Sequence, residues 1–255
     1  KAQKVPDSPE ELIFKGCYPR IYDKAVEPSI WYANYIATYI ERDVRLIANI
    51  SNLDSFQHFL KMCAARSGQI LNLSSLGDDC GVSHNTAKAW ISILQTSFII
   101  YLLRPYHKNF NKRLIKSPKL YFYDTGLLSW LLDIQSYKDI STHALRGHIF
   151  ETWVMAELLK AKHHRALKAN FYFWRDRAGH EIDCIIEKGN TFSALEIKSG
   201  KTVTKDYLKG LEFWKKISGR TEDTDYLIYG GDMEQKRKNI EIMGWQYFAN
   251  SSMDF

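Results

Sequence analysis

The sequence predicts an α/β chain with a mixed sheet, organised as two regions in series. Three observations lead there. In the second half the hydrophobic patterns run helix, three strands, helix, strand. Two of those strands flank Gly189-Asn190, a two-residue hairpin signal. In the first half a short helix, a glycine-containing turn and a second helix precede two strands.

A chain of 255 residues can hold two modest domains, each with its own core. Hydrophobic content of 45% with 25% charged residues excludes wholesale disorder. The net charge of +6 leans mildly towards a polyanionic partner. Cys17, Cys63, Cys80 and Cys184 are scattered without a C-x-x-C spacing, which points to neither zinc nor a disulfide framework. There is no apolar run of about 18 residues and no signal peptide, so no membrane partner is expected, and a reducing cytoplasm fits.

Taken in order, Ser8-Pro-Glu-Glu opens a helix, with proline at its first position and acids in its first turn, and the stretch 16–19 breaks it. Trp31, Tyr35, Ile36, Tyr39, Ile40 and Val44 recur at helical steps and predict an amphipathic helix over 29–47, with Arg42, Asp43 and Arg45 on its polar side. Phe56, Phe59, Leu60 and Cys63 form the next stripe. A short helix from Ser74 to Gly81 follows, then a turn with Val82 inward and Ser83 as N-cap of a second helix. Ala87, Trp90, Ile91 and Leu94 are the buried stripe of that second helix. Strands at 98–103 and 119–123 complete a winged helix. His84, Asn85, Lys88 and Ser92 then point outward from the helix that enters the DNA groove in DNA-binding versions. Arg104, Lys108, Lys112, Arg113, Lys116 and Lys119 lie between the strands without an intervening acid, a wing able to follow phosphates. The same wing could equally be solvated, with the domain serving protein contacts.

Beyond a helix at 127–132, the polar stretch 133–143 marks a boundary. A long helix over 144–161 buries Ile149, Trp153, Ala156 and Leu159; on pattern alone its Glu151 reads as exposed. Strands are predicted at 171–174, 182–186, 192–197, 226–229 and 240–248. A helix over 203–217 turns Tyr207, Leu208, Leu211 and Trp214 inward.

Candidate chemistry sits on the hairpin. With Gly189-Asn190 as the turn, Lys188 faces Thr191, and counting back sets Asp183 opposite Glu196, Cβ atoms roughly 5 Å apart. Lys198 shares the face of Glu196 because side chains alternate. Two carboxylates so placed repel, and burial adds to the cost. A hard divalent ion such as Mg²⁺ or Mn²⁺ between them would relieve this, with Lys198 orienting a water or phosphate. Alternatively Lys198 pairs with Glu181 across the ladder and Asp183 caps a local turn.

Asp183 followed by Glu196-Ile197-Lys198 resembles the signature of the PD-(D/E)XK nuclease superfamily. Phe173-Trp174-Arg175, Gly179-His-Glu-Ile-Asp183 and Leu195-Glu-Ile-Lys-Ser-Gly200 are closer still to the domain of unknown function DUF4143 of predicted AAA+ ATPases. Tyr39-Ile-Glu-Arg-Asp43, Tyr123-Asp-Thr-Gly126 and Phe150-Glu151 extend the likeness upstream. The resemblance implies a helical linker over 1–50 following an ATPase domain that this chain does not carry, a winged-helix domain over 51–135, and a restriction-endonuclease-like domain of α-β-β-β-α-β order over 140–255. ATP would belong to that other domain. Ser199-Gly-Lys-Thr202 is no Walker A motif, since Leu195 stands where a glycine is required.

The function implied is metal-dependent hydrolysis of nucleic-acid phosphodiesters, DNA foremost. Asp183 and Glu196 would hold Mg²⁺ or Mn²⁺, with the Ile197 carbonyl as a further ligand and Glu151 in support by resemblance. Lys198 would position water, and Arg175 and Arg177 would steer phosphate. Two other classes compete: a non-catalytic nucleic-acid-binding or regulatory module working through the winged helix, and an interaction or oligomerisation module serving the ATPase.

Overall fold

The computed structural model describes residues 6–39, 52–106, 115–168 and 170–251. Among them it is a mixed α/β protein with eleven α-helices and parallel as well as antiparallel strand pairs. Contacts divide the chain into two compact units, Lys1–Leu102 with Leu120–Trp153, and Leu103–Lys119 with Val154–Phe255.

In the first unit, α1 (Pro9–Lys15) starts as its sequence dictates: the Glu11 N–H donates to Ser8 Oγ at 3.2 Å. Then come α2 (Pro19–Asp23), α3 (Pro28–Tyr35), α4 (Leu53–Ala65), β1 (Gln69–Ile70), α5 (Leu73–Cys80), α6 (His84–Thr96), β2 (Ile100–Pro105), β3 (Lys119–Phe122), α7 (Thr125–Leu131), α8 (Tyr137–Ile140) and the start of α9 (Arg146–His164). The helix expected over 29–47 begins as α3 and continues as a π turn through Tyr39; Ile40, Arg42, Asp43, Val44 and Arg45 lie outside the described residues. The supposed boundary at 133–143 contains α8, whose N-cap Ser136 gives it a local start.

The N-terminal helices are tied down by one buried carboxylate. Asp124 accepts the Cys17 N–H at 2.7 Å, the Tyr32 hydroxyl at 2.7 Å and, as cap of α7, the Leu127 N–H at 2.8 Å. Gly16 and Gly126 press on the Tyr32 hydroxyl, with no room for a Cβ at either position.

The two helices either side of Gly81 form where their capping residues place them. Asn72 accepts from Ser74 and Ser75 at 3.1 Å each, and Ser83 accepts the Thr86 N–H at 3.1 Å. Gly81 ends α5 with φ 65°, the left-handed cap that favours glycine. Phe56 and Phe59 meet Trp90 edge-on at 5.3 and 5.1 Å, locking α4 to α6. No atom lies within 4 Å of a Cβ built on Gly81, so Gly81→Ala carries backbone strain alone. It should cost about 1–2 kcal/mol in urea denaturation.

In the second unit, the last residues of β2 run parallel to β4 (Phe171–Arg175), with Arg104 beside Tyr172. Antiparallel to β4 runs β5 (Glu181–Lys188), which pairs in turn with β6 (Thr191–Lys198). After a 3₁₀ turn (Lys205–Leu208) and α10 (Lys209–Ser218), β7 (Asp225–Tyr229) lies parallel to β6. The sheet continues through β9 (Ile240–Gly244), parallel to β7, and ends at β8 (Gln235–Arg237), antiparallel to β9. The strand expected over 240–248 stops at Gly244, and Trp245–Asn250 forms α11 instead. Trp174, Ile182, Ile185, Ala194, Leu211, Trp214, Leu227 and Ile242 pack together as the core between sheet and α10. Trp214 meets Trp174 at 5.6 Å and Tyr106 at 6.0 Å, both edge-on.

At the start of β7, buried Asp225 accepts the Ala194 N–H at 2.8 Å and lies 3.4 Å from Lys215 Nζ. Burial pushes its carboxyl up to about 6, against the pull of the Ala194 N–H and Lys215. An acid raised above its ordinary 3.8 binds more protons folded than unfolded. Its contribution is therefore full below the ordinary value and lost as pH rises through about 6. Asp225→Asn should remove this fall, measured as the difference in unfolding free energy from wild type at pH 4 and pH 8. About 1.4 kcal/mol per pH unit sets an upper bound near 3 kcal/mol.

Candidate active site

The hairpin register is the one its turn imposes. Lys188 pairs with Thr191 across Gly189, which has φ 61°, and the ladder runs back to Cys184 opposite Leu195. On its other edge β5 carries a bulge that sequence periodicity misses. Tyr172 pairs with Ile185 but Trp174 with Ile182, so two steps on β4 match three on β5. The extra residue falls at Asp183-Cys184, which lets Ile182 and Ile185 both reach the core.

Here the Asp183 side chain turns towards β6. Its Oδ2 accepts the Ile197 N–H at 2.9 Å and lies 3.5 Å from Lys198 Nζ. The same ammonium donates to Glu196 Oε2 at 2.5 Å. The two carboxyl groups therefore converge on the ammonium of Lys198, the third group expected on that face. Glu196 is only 5% exposed, and its carboxylate packs against α10, where a Cβ at Gly210 would stand 3.0 Å from Cδ. Burial first, and then the Asp183 charge, push the Glu196 carboxyl up to about 8, although Lys198 pulls the other way.

A second lysine enters from an unexpected place. Lys119, read from sequence as part of an exposed wing, is 3% exposed and ion-paired with the Glu181 carboxylate. Its ammonium lies 3.9 Å from Asp183 Oδ1 and 5.7 Å from the Phe173 ring. Arg175 holds the other Glu181 oxygen at 3.1 Å. The alternative pairing of Lys198 with Glu181 is thus corrected: Glu181 belongs to Lys119 and Arg175, Lys198 to Glu196 and Asp183. The sequence hint is slight: Lys119 heads the apolar run Leu120-Tyr-Phe-Tyr123, and only the structure shows that strand to be buried throughout, where a cation needs a partner.

Asp183 and Glu196 are the side chains here that could hold a divalent ion. Among the described residues no three His, Cys, Asp or Glu side chains are grouped for one. Remaining ligands would have to come from backbone, water or substrate, as hard cations readily accept.

Glu151 belongs to the first unit and is buried rather than exposed, accepting the Tyr121 hydroxyl at 2.5 Å. The pattern misleads because both flanks of α9 are covered: Phe150, Thr152, Trp153 and Val154 are buried as well. His84, Asn85, Lys88 and Ser92 are exposed on α6, Lys116 is exposed, and Arg177 is exposed in the turn between β4 and β5. Lys108, Lys112 and Arg113 lie outside the described residues.

Fold and site together define a mixed α/β protein with a buried carboxylate pair bridged by lysine on a central hairpin. Residues 7–138 match the domain of unknown function DUF8612, and the chain belongs to that family. Residues 146–248 match a second domain of unknown function, DUF4143, the domain that the hairpin motifs resemble. Uncharacterised proteins of Mycobacterium tuberculosis and Mycobacterium bovis are each 27% identical over 176 residues. The match covers 69% of this chain and 39% of each relative, so the chain spans about two fifths of their length. No helix among the described residues is long and apolar enough to cross a membrane.

Proposed function

We propose that the second unit is a restriction-endonuclease-like domain that hydrolyses nucleic-acid phosphodiester bonds with Mg²⁺ or Mn²⁺. The observation carrying this reading is the convergence of Asp183 and Glu196 on Lys198 at a bulged hairpin. The strand order, with β7 parallel to the outer hairpin strand and α10 on one face, supports the same fold. Asp183 and Glu196 would hold the ion, which when bound supplies a Lewis acid and a more acidic water. Lys198 orients the attacking water and offsets negative charge at the phosphorus. Arg177, exposed beside the site strand, steers the phosphate.

The first unit is read as a winged helix that brings DNA: α5, the Gly81 turn and α6 are followed by β2 and β3, with β1 beside β3. Asn85 and Lys88 on α6 are its contacts among the described residues, and Lys116, exposed in the second unit, is a phosphate contact of its own. In this reading an ATPase domain belongs to the longer protein, and the compartment is the cytoplasm.

A second reading has one observation behind it. Lys119, Lys198 and Arg175 already ion-pair with Glu181, Asp183 and Glu196, so each of these carboxyl groups has a cationic side chain beside it without a divalent ion. This favours a nuclease-like scaffold serving a binding or regulatory module. Incubation of plasmid and single-stranded DNA with the chain and millimolar Mn²⁺ separates the two. Cleavage that is lost on chelation supports the hydrolase; salt-dependent DNA binding without cleavage supports the scaffold.

A further inference from the structure

We propose that His180, oriented by Asp176, is the general base of this site; the inference rests on the hydrolase reading and adds a residue outside its signature. His180 ends the turn between β4 and β5. Its N–H donates to Asp176 Oδ1 at 3.0 Å, and its Nδ1 lies 3.0 Å from Asp176 Oδ2. Asp176 is 3% exposed, whereas the imidazole is 46% exposed. A buried carboxylate at Nδ1 fixes the tautomer with its proton there and leaves the Nε2 lone pair for chemistry. The Phe213 ring stacks on the imidazole at 3.9 Å and 8°, which fixes its plane.

α10 relates this pair to the acidic site. Phe213, under His180, and Gly210, against Glu196, are three residues apart on one helix face, about 4.5 Å along the axis. Asp176 and Phe213 face the ring; the neighbouring charges along the two elements are Arg177 and Glu181 on one side and Lys209, Glu212, Lys215 and Lys216 on the other. In the step, a water oxygen bonds to phosphorus as the ester P–O bond breaks. The water proton passes to His180 Nε2, giving an imidazolium paired with Asp176, and the leaving alkoxide takes a proton from solvent. Such a base contributes about 10²–10⁴-fold.

The test uses the full chain with DNA and Mn²⁺, comparing wild type, His180→Gln and Asp176→Asn across pH. His180→Gln should lower the cleavage rate at least about 100-fold and flatten the acid limb of the pH–rate profile, while the chain still unfolds in a single cooperative transition. Asp176→Asn should also shift that limb, a change that lost packing alone would not produce. Imidazole ¹⁵N spectra of the wild type should show the Nδ1–H tautomer, and its resonances should move on saturation with a phosphorothioate-linked DNA oligonucleotide. A His180→Gln chain that cleaves at the wild-type rate with the same profile overturns the proposal, as do resonances that do not move. Wild type that cleaves no nucleic acid overturns it together with the hydrolase reading.

Discussion

Lys198→Ala should leave the second unit folded and abolish cleavage, by at least about 100-fold on the scale of a lost electrostatic stabiliser. The lysine is one third exposed, so its loss opens no large cavity. It does leave Glu196 and Asp183 facing each other without their shared ammonium. Metal binding should survive and even tighten, because the pair loses its internal competitor. Rate assays with Mn²⁺ and calorimetry on the same variant check both halves. A variant that still cuts at the wild-type rate would remove Lys198 from the chemistry.

Trp214→Ala should cost about 3–5 kcal/mol of stability. The side chain is 1% exposed and sits where α10 meets the sheet, against Trp174 and Tyr106. Its removal leaves a cavity that neighbouring rings cannot fill without leaving their own packing. A loss of this size is a large part of what holds a single domain folded. Because α10 also braces Glu196 through Gly210 and His180 through Phe213, cleavage should fall well before global unfolding. Chemical denaturation followed by tryptophan fluorescence, run beside the cleavage assay, measures both. A variant within 1 kcal/mol of wild type would show that α10 is not the keystone of this unit.

The hairpin was legible because everything fixing it is local. Gly189-Asn190 sets the turn, alternation sets the faces, and the count brings Asp183, Glu196 and Lys198 together. The capped helices α1, α5 and α6 were legible for the same reason. What escaped depends on distant partners. The β5 bulge is imposed by pairing with β4, and Lys119 gains its meaning only when Glu181 and Asp183 arrive beside it. Glu151 looked exposed because its burial depends on Tyr121, thirty residues earlier in the chain. Trp245 to Phe248 was too short an apolar run for periodicity to separate helix from strand. The Asp176–His180 pair has no spacing signal; only the turn and the Phe213 ring make it a unit.

The proposed hydrolase requires that Asp183 and Glu196 bind a divalent cation. Calorimetric titration of Mg²⁺ and Mn²⁺ into wild type and Asp183→Asn tests it most directly. The wild type should bind saturably, with a melting temperature that rises by mass action, and Asp183→Asn should lose both responses. Wild type that binds neither ion at millimolar concentration would contradict the claim and leave the carboxylates as partners of Lys119 and Lys198 alone.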